Sequence, residues 1–153
     1  INQLQLPVVD ANRIGGLFHV VSDIERIGDH AENFADFAVK CQEENLDFTK
    51  KGTKEIQEMH HKTMIILEKA MEMFVTLDEK NLPDILALED DIDHMERELH
   101  QNHVKRMSKG KCSPMSGIVF TDMVTGLERV ADHATNIAFS ILDNDPEERS
   151  AVL

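Results

Sequence analysis

Carboxylate, guanidinium and imidazole side chains are concentrated in a nine-residue pattern that occurs twice in the chain. Residues 25–33 read Glu-Arg-Ile-Gly-Asp-His-Ala-Glu-Asn, and residues 128–136 read Glu-Arg-Val-Ala-Asp-His-Ala-Thr-Asn. The copies are 103 residues apart and identical at six of nine positions. Internal similarity of this kind marks a duplicated supersecondary unit. Because most of the identical residues are polar, core packing alone does not account for them.

The spacing within the second copy predicts a row of oxygen ligands. At about 100° per residue on a helix, Glu128, Asp132 and Asn136 lie one turn apart on one face. Carboxylates at i and i+4 repel each other unless a cation or a partner lies between them. Oxygen ligands in a row suit hard or borderline metal ions. The pattern therefore predicts a metal site that uses Glu128 and Asp132.

A second acidic row precedes this one, on the third predicted helix, and consists of Glu89, Asp93, Glu96 and His100. The connection at residues 110–113 is short, so the third and fourth helices must be antiparallel neighbours. The two rows then border one seam, with Asp93 and Glu96 near the height of Glu128 and Asp132. We expect the carboxylates to converge on one groove. The alternative is a solvated acidic face, which is the usual fate of charged residues.

The first copy has no matching acidic row in this chain. The second predicted helix carries several Glu and His residues, but not the Glu-x-x-x-Asp spacing. We therefore expect Glu25 and Asp29 to form an orphan half-site whose partner helix lies upstream. Arg26 and Arg129 are expected to pair with nearby carboxylates rather than to bind phosphate.

The remaining motif residues are predicted to support the sites rather than to form them. His30 and His133 are expected beside the ligands or on the surface. Asn33 and Asn136 either cap the metal row or bond across the bundle. The supporting set is Glu96, His100, His133, Asn136, His30, Asn33 and Arg129.

Apolar residues recur at helical spacing in four long stretches, at about residues 8–40, 53–77, 83–109 and 113–142. Ser113 followed by Pro114 is typical of a helix start. No stretch alternates with period two, so no strand is predicted. The expected fold is an all-α antiparallel bundle of about four long helices in one domain.

Composition excludes several classes of protein. The formal net charge of −13 would repel nucleic acid, which we exclude as a partner. No apolar run approaches the 18 residues of a membrane span. Cys41 and Cys112 match no zinc pattern and are expected to be reduced thiols. Because the chain starts at Ile1, we expect a fragment truncated on its N-terminal side.

The Glu-Arg-x-x-Asp-His-Ala-x-Asn motif on a long helix resembles the PhoU-type phosphate-uptake regulators. The resemblance implies two similar three-helix bundles, each ending in a helix that carries the motif. It assigns 1–153 to a single PhoU-like domain, with 1–41 as the last helix of the first repeat and 53–143 as the second repeat. It also implies iron or zinc, as a multinuclear cluster, held by Glu89, Asp93, Glu128 and Asp132, with Glu25 and Asp29 in the first repeat.

The same resemblance implies a metal-binding regulatory domain that exerts negative control on phosphate uptake. Implied partners are an ATP-driven phosphate transporter or a fused sodium–phosphate cotransporter membrane segment, a sensor kinase and a second copy of the chain. The implied location is the cytoplasmic face of the membrane. No catalytic residues or enzymatic activity are expected. The alternatives are a carboxylate-bridged di-metal enzyme, suggested by Glu58-x-x-His61, and a purely structural bundle.

Overall fold

The computed structural model describes the backbone of residues 8–142 and the side chains of residues 14–142. Its helices are α1 (Val8–Glu43), α2 (Lys50–Thr76), α3 (Leu82–Ser108) and α4 (Pro114–Phe139), with a 3₁₀ turn at Glu79–Asn81. No strand occurs within this range, and the predicted all-α fold is confirmed. The predicted segments 1–41 and 53–143 extend beyond this range. Residues 1–7 of the first and residue 143 of the second lie outside the described residues.

Local capping chemistry sets where the helices begin and end. The Ser113 hydroxyl accepts a hydrogen bond from the Ser116 amide at 3.0 Å, so the predicted start of α4 is confirmed. Thr49 does the same for α2 by accepting from the Gly52 amide at 3.1 Å. Such caps satisfy amides that have no partner within the helix. Gly110, at φ +63°, provides the left-handed turn after α3 that lets α4 return antiparallel.

Helices α2, α3 and α4 form a three-helix bundle around an aliphatic core. Each contributes a stripe of fully buried side chains: Met59, Ile66 and Met73 from α2, Ile85, Ile92 and Leu99 from α3, and Phe120, Val124 and Leu127 from α4. Ion pairs join α2 to α3, including Lys69–Asp84 and Arg106–Glu55. Helix α4 packs against α2 and α3 within the bundle and also against α1.

Two glycines of α4 allow close approach of its neighbours. A Cβ at Gly117 would lie 2.8 Å from Nε2 of His103 on α3. A Cβ at Gly126 would lie 3.0 Å from the Phe34 ring of α1. Both distances are shorter than ordinary van der Waals contact, so these positions set how closely α3 and α1 pack on α4.

Helix α1 packs chiefly against α4, outside the bundle. Of its described side chains, Val20 is the only one that is buried. Its apolar stripe is exposed over several turns, at Ile14, Leu17, Phe18, Val21 and Ile24. The periodicity predicted for this helix is thus present, but most of the stripe has no partner among the described residues.

None of the described helices contains a segment long and apolar enough to cross a membrane.

Candidate metal centre

The two predicted acidic rows meet at the seam between α3 and α4. Glu89 and Asp93 from α3 and Asp132 from α4 each offer one carboxylate oxygen, and these oxygens lie within 4.8 Å of one another. Three carboxylates at that separation match the first coordination sphere of a small multivalent cation. The antiparallel arrangement and the matched heights that the sequence predicted are therefore present.

One turn further along the seam, Glu96 and Glu128 extend this group. The Thr125 hydroxyl of α4 donates a hydrogen bond to the Glu96 carboxylate at 3.3 Å, which fixes the height of the two helices. We call Glu89, Asp93, Glu96, Glu128 and Asp132 the acidic cluster. It is five carboxyl groups on two facing helices, the arrangement by which helical bundles hold metal ions.

Burial and mutual repulsion raise the proton affinity of this cluster. Partial burial, followed by the neighbouring charges of Asp132, Glu96 and Asp93, raises the pKa of Glu128 to about 7. The pKa of Glu89 is raised by burial and then by Asp93 and Asp132. Burial, with Asp93 next, also raises the pKa of Asp132. The cluster therefore holds more negative charge than its surroundings stabilise, and a bound cation or proton would relieve that repulsion.

The donor chemistry fits a cation of the kind the resemblance implies. All members of the acidic cluster offer oxygen. On the same row of α3, His100 has a buried Nε2 with no hydrogen-bond partner among the described residues, and a ring nitrogen is a ligand for iron or zinc. Glu89, Asp93, Glu128 and Asp132 would hold the ion, with Glu96 and His100 beside them.

The first copy of the motif has a different environment. Glu25 and Asp29 are exposed on α1, which has no described neighbour corresponding to α3. Within residues 14–142, Glu89, Asp93 and Asp132 are the only set of three metal-ligating groups within mutual reach. The orphan half-site at Glu25 and Asp29 stays a prediction.

The two copies themselves meet, because α1 and α4 run antiparallel. His133 Nδ1 donates to the Asp23 carboxylate at 2.9 Å, and its ring stacks on that of His30 with centroids 6.1 Å apart. Phe34 packs over Gly126 further along. Sequence reasoning missed Asp23, since nothing in the motif indicates which helices cross. The supporting role predicted for His133 stays a prediction.

Other expectations about the motif residues need correction. Neither Arg26 nor Arg129 forms an ion pair within the part of the chain that the structure describes. The carboxylates three residues on, Asp29 and Asp132, therefore do not give the predicted salt bridges, and both arginines line a groove at the α1–α4 seam. Asn33 and Asn136 are exposed, and neither forms a hydrogen bond across the bundle with another described residue.

The Glu-x-x-His pattern that suggested a di-metal enzyme does not face the interior of the bundle. Glu58 and His61 are exposed on the outer face of α2. Ligands of a bundle-core di-metal site must project inward from several helices.

The two cysteines, Cys41 and Cys112, are free thiols, as predicted.

Comparison with known proteins places these observations in a family. The model of the PhoU domain matches residues 56–141, which cover nearly all of α2, α3 and α4. The chain is 31% identical over 121 residues to phosphate-specific transport system accessory protein PhoU homolog 1 of Thermotoga maritima, covering 79% of this chain and 51% of that protein.

Two further relatives carry similar names. The accessory protein PhoU homolog of Synechocystis sp. is 30% identical over 88% of this chain and 59% of its own length. That of Clostridium acetobutylicum is 26% identical over 91% of this chain and 63% of its own length. The chain thus spans between about half and two thirds of these relatives. With its duplicated motif, its helical bundle and a domain match over more than half of its length, this chain belongs to the PhoU domain family.

Proposed function

We propose that this chain is a metal-binding regulatory domain that restrains phosphate uptake by a membrane transporter. Its relatives are accessory proteins of phosphate-specific transport systems by name. The partner would be such a transporter, either a separate ATP-driven complex or a fused cotransporter, and the domain would act at its cytoplasmic face. The role is regulatory rather than catalytic, because family membership supports an accessory function.

The acidic cluster is the observation that carries the metal-binding part of the proposal. Glu89, Asp93 and Asp132 offer oxygens within 4.8 Å of one another, and Glu128 beside them has its pKa raised to about 7. A protein that used these helices only as a scaffold would gain stability by replacing such a cluster with neutral residues. Family membership together with this uncompensated charge supports a cation site.

The oxygen-rich donor set favours iron over zinc. Zinc sites in proteins are built mainly from Cys and His in tetrahedral geometry. Here the cluster is carboxylate throughout, with only His100 as a nearby nitrogen donor, and neither Cys41 nor Cys112 belongs to it. Carboxylates on facing bundle helices are typical of iron and manganese.

The acidic cluster lies between α3 and α4, so metal binding there would affect how these two helices pack. Without a cation, Asp93 of α3 repels Glu128 and Asp132 of α4 across the seam. A bound cation supplies positive charge that removes this repulsion. Glu89, Asp93, Glu128 and Asp132 would then hold α3 and α4 in one register, and the bundle surface would keep a single shape for its partner.

We further propose that α1 is the last helix of a preceding unit of the same kind. With an offset of 103 residues, the exposed Leu17, Val21 and Ile24 correspond to Phe120, Val124 and Leu127, which α2 and α3 bury. Helices equivalent to α2 and α3 would cover this stripe and bring carboxylates to Glu25 and Asp29. This arrangement supports the assignment of 1–41 and 53–143 to two repeats.

Elemental analysis tests the metal site. The chain is purified without chelators or a His-tag and reloaded anaerobically with iron or, separately, zinc. We expect stoichiometric metal in the wild type, with iron retained better, and loss of metal in the Glu128→Gln/Asp132→Asn double variant. The matched control is Glu25→Gln/Asp29→Asn, which makes the same changes in the other copy and should keep its metal.

Thermal melting separates a metal site from a structural bundle. Metal should raise the Tm of the wild type and of the control, but not that of the Glu128→Gln/Asp132→Asn variant. Without metal that variant should melt above the wild type, because repulsion is relieved. Failure of the wild type to bind either metal would contradict the site. Normal regulation of phosphate uptake in cells that carry the variant would show that metal has no part in regulation.

A further inference from the structure

A groove along the α1–α4 seam collects side chains from both copies of the motif. It encloses about 510 Å³. The first copy contributes Arg26, His30 and Asn33, and the second contributes Arg129 and His133. Arg26 and Arg129 occupy equivalent positions of the repeat, as do His30 and His133. Because α1 and α4 run antiparallel, the repeat brings equivalent cationic groups to one cavity.

The two arginines of this groove lack the partners that such residues usually have. Within the described part of the chain, neither has a carboxylate within ion-pair distance, whereas Arg106 pairs with Glu55 at 2.6 Å. The chain contains 29 acidic and only 16 basic residues, so carboxylates are plentiful elsewhere. Both arginines line the same groove, so an anion bound there would be attracted by two positive charges.

Three acidic residues lie in or near the groove, and two of them have contacts elsewhere. Asp132 lines the cavity, but one of its oxygens lies within 4.8 Å of those of Glu89 and Asp93, on the side of α3. Asp23 accepts the hydrogen bond from His133. Asp29 also lines the cavity and is exposed, without an ion pair among the described residues. The guanidiniums and the Asn33 amide therefore remain as the unengaged donors.

We propose that this groove binds a phosphate-type oxyanion, with Arg26 and Arg129 as charged donors and the Asn33 amide as a third. A guanidinium presents a planar set of N–H donors that matches phosphate oxygens in pairs. The stacked rings of His30 and His133, 6.1 Å apart, form one wall. This site adjoins the acidic cluster, because Asp132 lines the groove as well. It rests on the proposed function for the choice of phosphate over other tetrahedral oxyanions.

Phosphate titration of the full 153-residue chain, kept free of metal, tests the proposal. Binding of inorganic phosphate is measured by calorimetry for the wild type, Arg26→Gln, Arg129→Gln and the control Arg97→Gln, which removes an exposed arginine of α3 far from the groove. We expect saturable binding that weakens about tenfold in each groove variant and is unchanged in the control. Arg26→Lys and Arg129→Lys, which keep the charge, should recover part of the loss.

A second arm separates the sources of the phosphate group. A nucleoside monophosphate should bind more weakly than inorganic phosphate and compete with it. Tighter binding of the nucleotide would overturn the assignment to free phosphate. Absence of saturable binding to the wild type, or equal affinities in the wild type and both groove variants, would overturn the site.

The metal content of the same samples keeps the two proposals apart. Arg26→Gln, which lies outside the set proposed to support the metal, should load iron like the wild type while losing phosphate. If the wild type loads iron but binds no phosphate, the oxyanion site fails and the metal site stands. If it binds phosphate through the arginines but no metal, the reverse holds. Far-UV circular dichroism checks that each variant is folded.

Discussion

The two copies of the motif lie in very different surroundings. In α4 the copy is enclosed by α2 and α3, and its carboxylates face Glu89 and Asp93 at the acidic cluster. In α1 the similar copy packs chiefly against α4 among the described helices, and Glu25 and Asp29 are exposed. The same local sequence forms the same helix in both places. Carboxylates gather only where a second helix supplies facing carboxylates, as α3 does for α4.

The apolar stripes show the same contrast as the carboxylates. Val124 is fully buried, whereas its equivalent Val21 is 62% exposed. Both are valines on a long helix, three residues from an apolar neighbour that shares the stripe. Val124 is covered by α2 and α3, whereas Val21 has no such cover among the described helices. The pair therefore measures how much burial by α2 and α3 contributes to the free energy of unfolding.

The largest effect is expected from truncating this matched pair. Val124→Ala should lower the free energy of unfolding by about 2 kcal/mol, from the lost apolar burial and the cavity left behind. Val21→Ala should change it by less than about 0.5 kcal/mol, as exposed substitutions do. Urea unfolding of both variants measures the difference. Equal losses would mean that the α1 stripe is covered in solution, for example by a second chain.

The pH dependence of stability sharpens the comparison of the carboxylates. Because the pKa of Glu128 is raised to about 7 in the folded chain, the folded state holds this proton more tightly than the unfolded state does. Its contribution is fully present below about pH 4.5 and is lost as pH rises through 7. In metal-free protein, Glu128→Gln should therefore stabilise the fold by about 1 kcal/mol at pH 7.5, after allowance for solvent screening.

Urea titrations from pH 4.5 to 8 compare that variant with the wild type and with the matched Glu25→Gln. The difference in free energy of unfolding between Glu128→Gln and the wild type should increase as pH rises, while Glu25→Gln should follow the wild type throughout. A difference that is constant with pH would mean that the charge of Glu128 is already compensated. Parallel behaviour of the two variants would remove the distinction between the copies.

The smallest effect is expected at the contact that joins the copies. Asp23→Asn weakens the hydrogen bond from His133, and both side chains are mostly buried. A double-mutant cycle with His133→Gln should give a coupling of about 0.5 kcal/mol. Asp36→Asn, at an exposed position of α1, is the control. Zero coupling would indicate that α1 is held on α4 by apolar contacts such as Phe34 on Gly126.

Much of the fold follows from local sequence. The helix ends agree with the prediction to within about three residues, because they depend on caps and turn residues such as Ser113, Pro114 and Gly110. The antiparallel pairing of α3 and α4 follows from their short connection. The pairing of the acidic rows then follows from helical periodicity, which is why Asp93 and Asp132 were predicted to meet.

Contacts between segments far apart in the chain could not be predicted from local sequence. Neither the hydrogen bond between His133 and Asp23 nor the groove that Arg26 and Arg129 line could be inferred, because both depend on the crossing of α1 over α4. The burial of His103 against Phe120, with ring centroids 4.6 Å apart, likewise requires the close approach at Gly117. Sequence spacing specifies faces within a helix, but not which faces meet across a long separation.

The sequence by itself determined the four helices, the duplicated motif, the acidic rows and the family, because each of these depends on residues close together in the chain. Tertiary structure alone decided which copy of the motif gains facing ligands and which remains exposed. It also decided that the arginines of the two copies line one groove. The physical reason is that repulsion, burial and coordination depend on distances between side chains, and those distances exist only once the helices have packed.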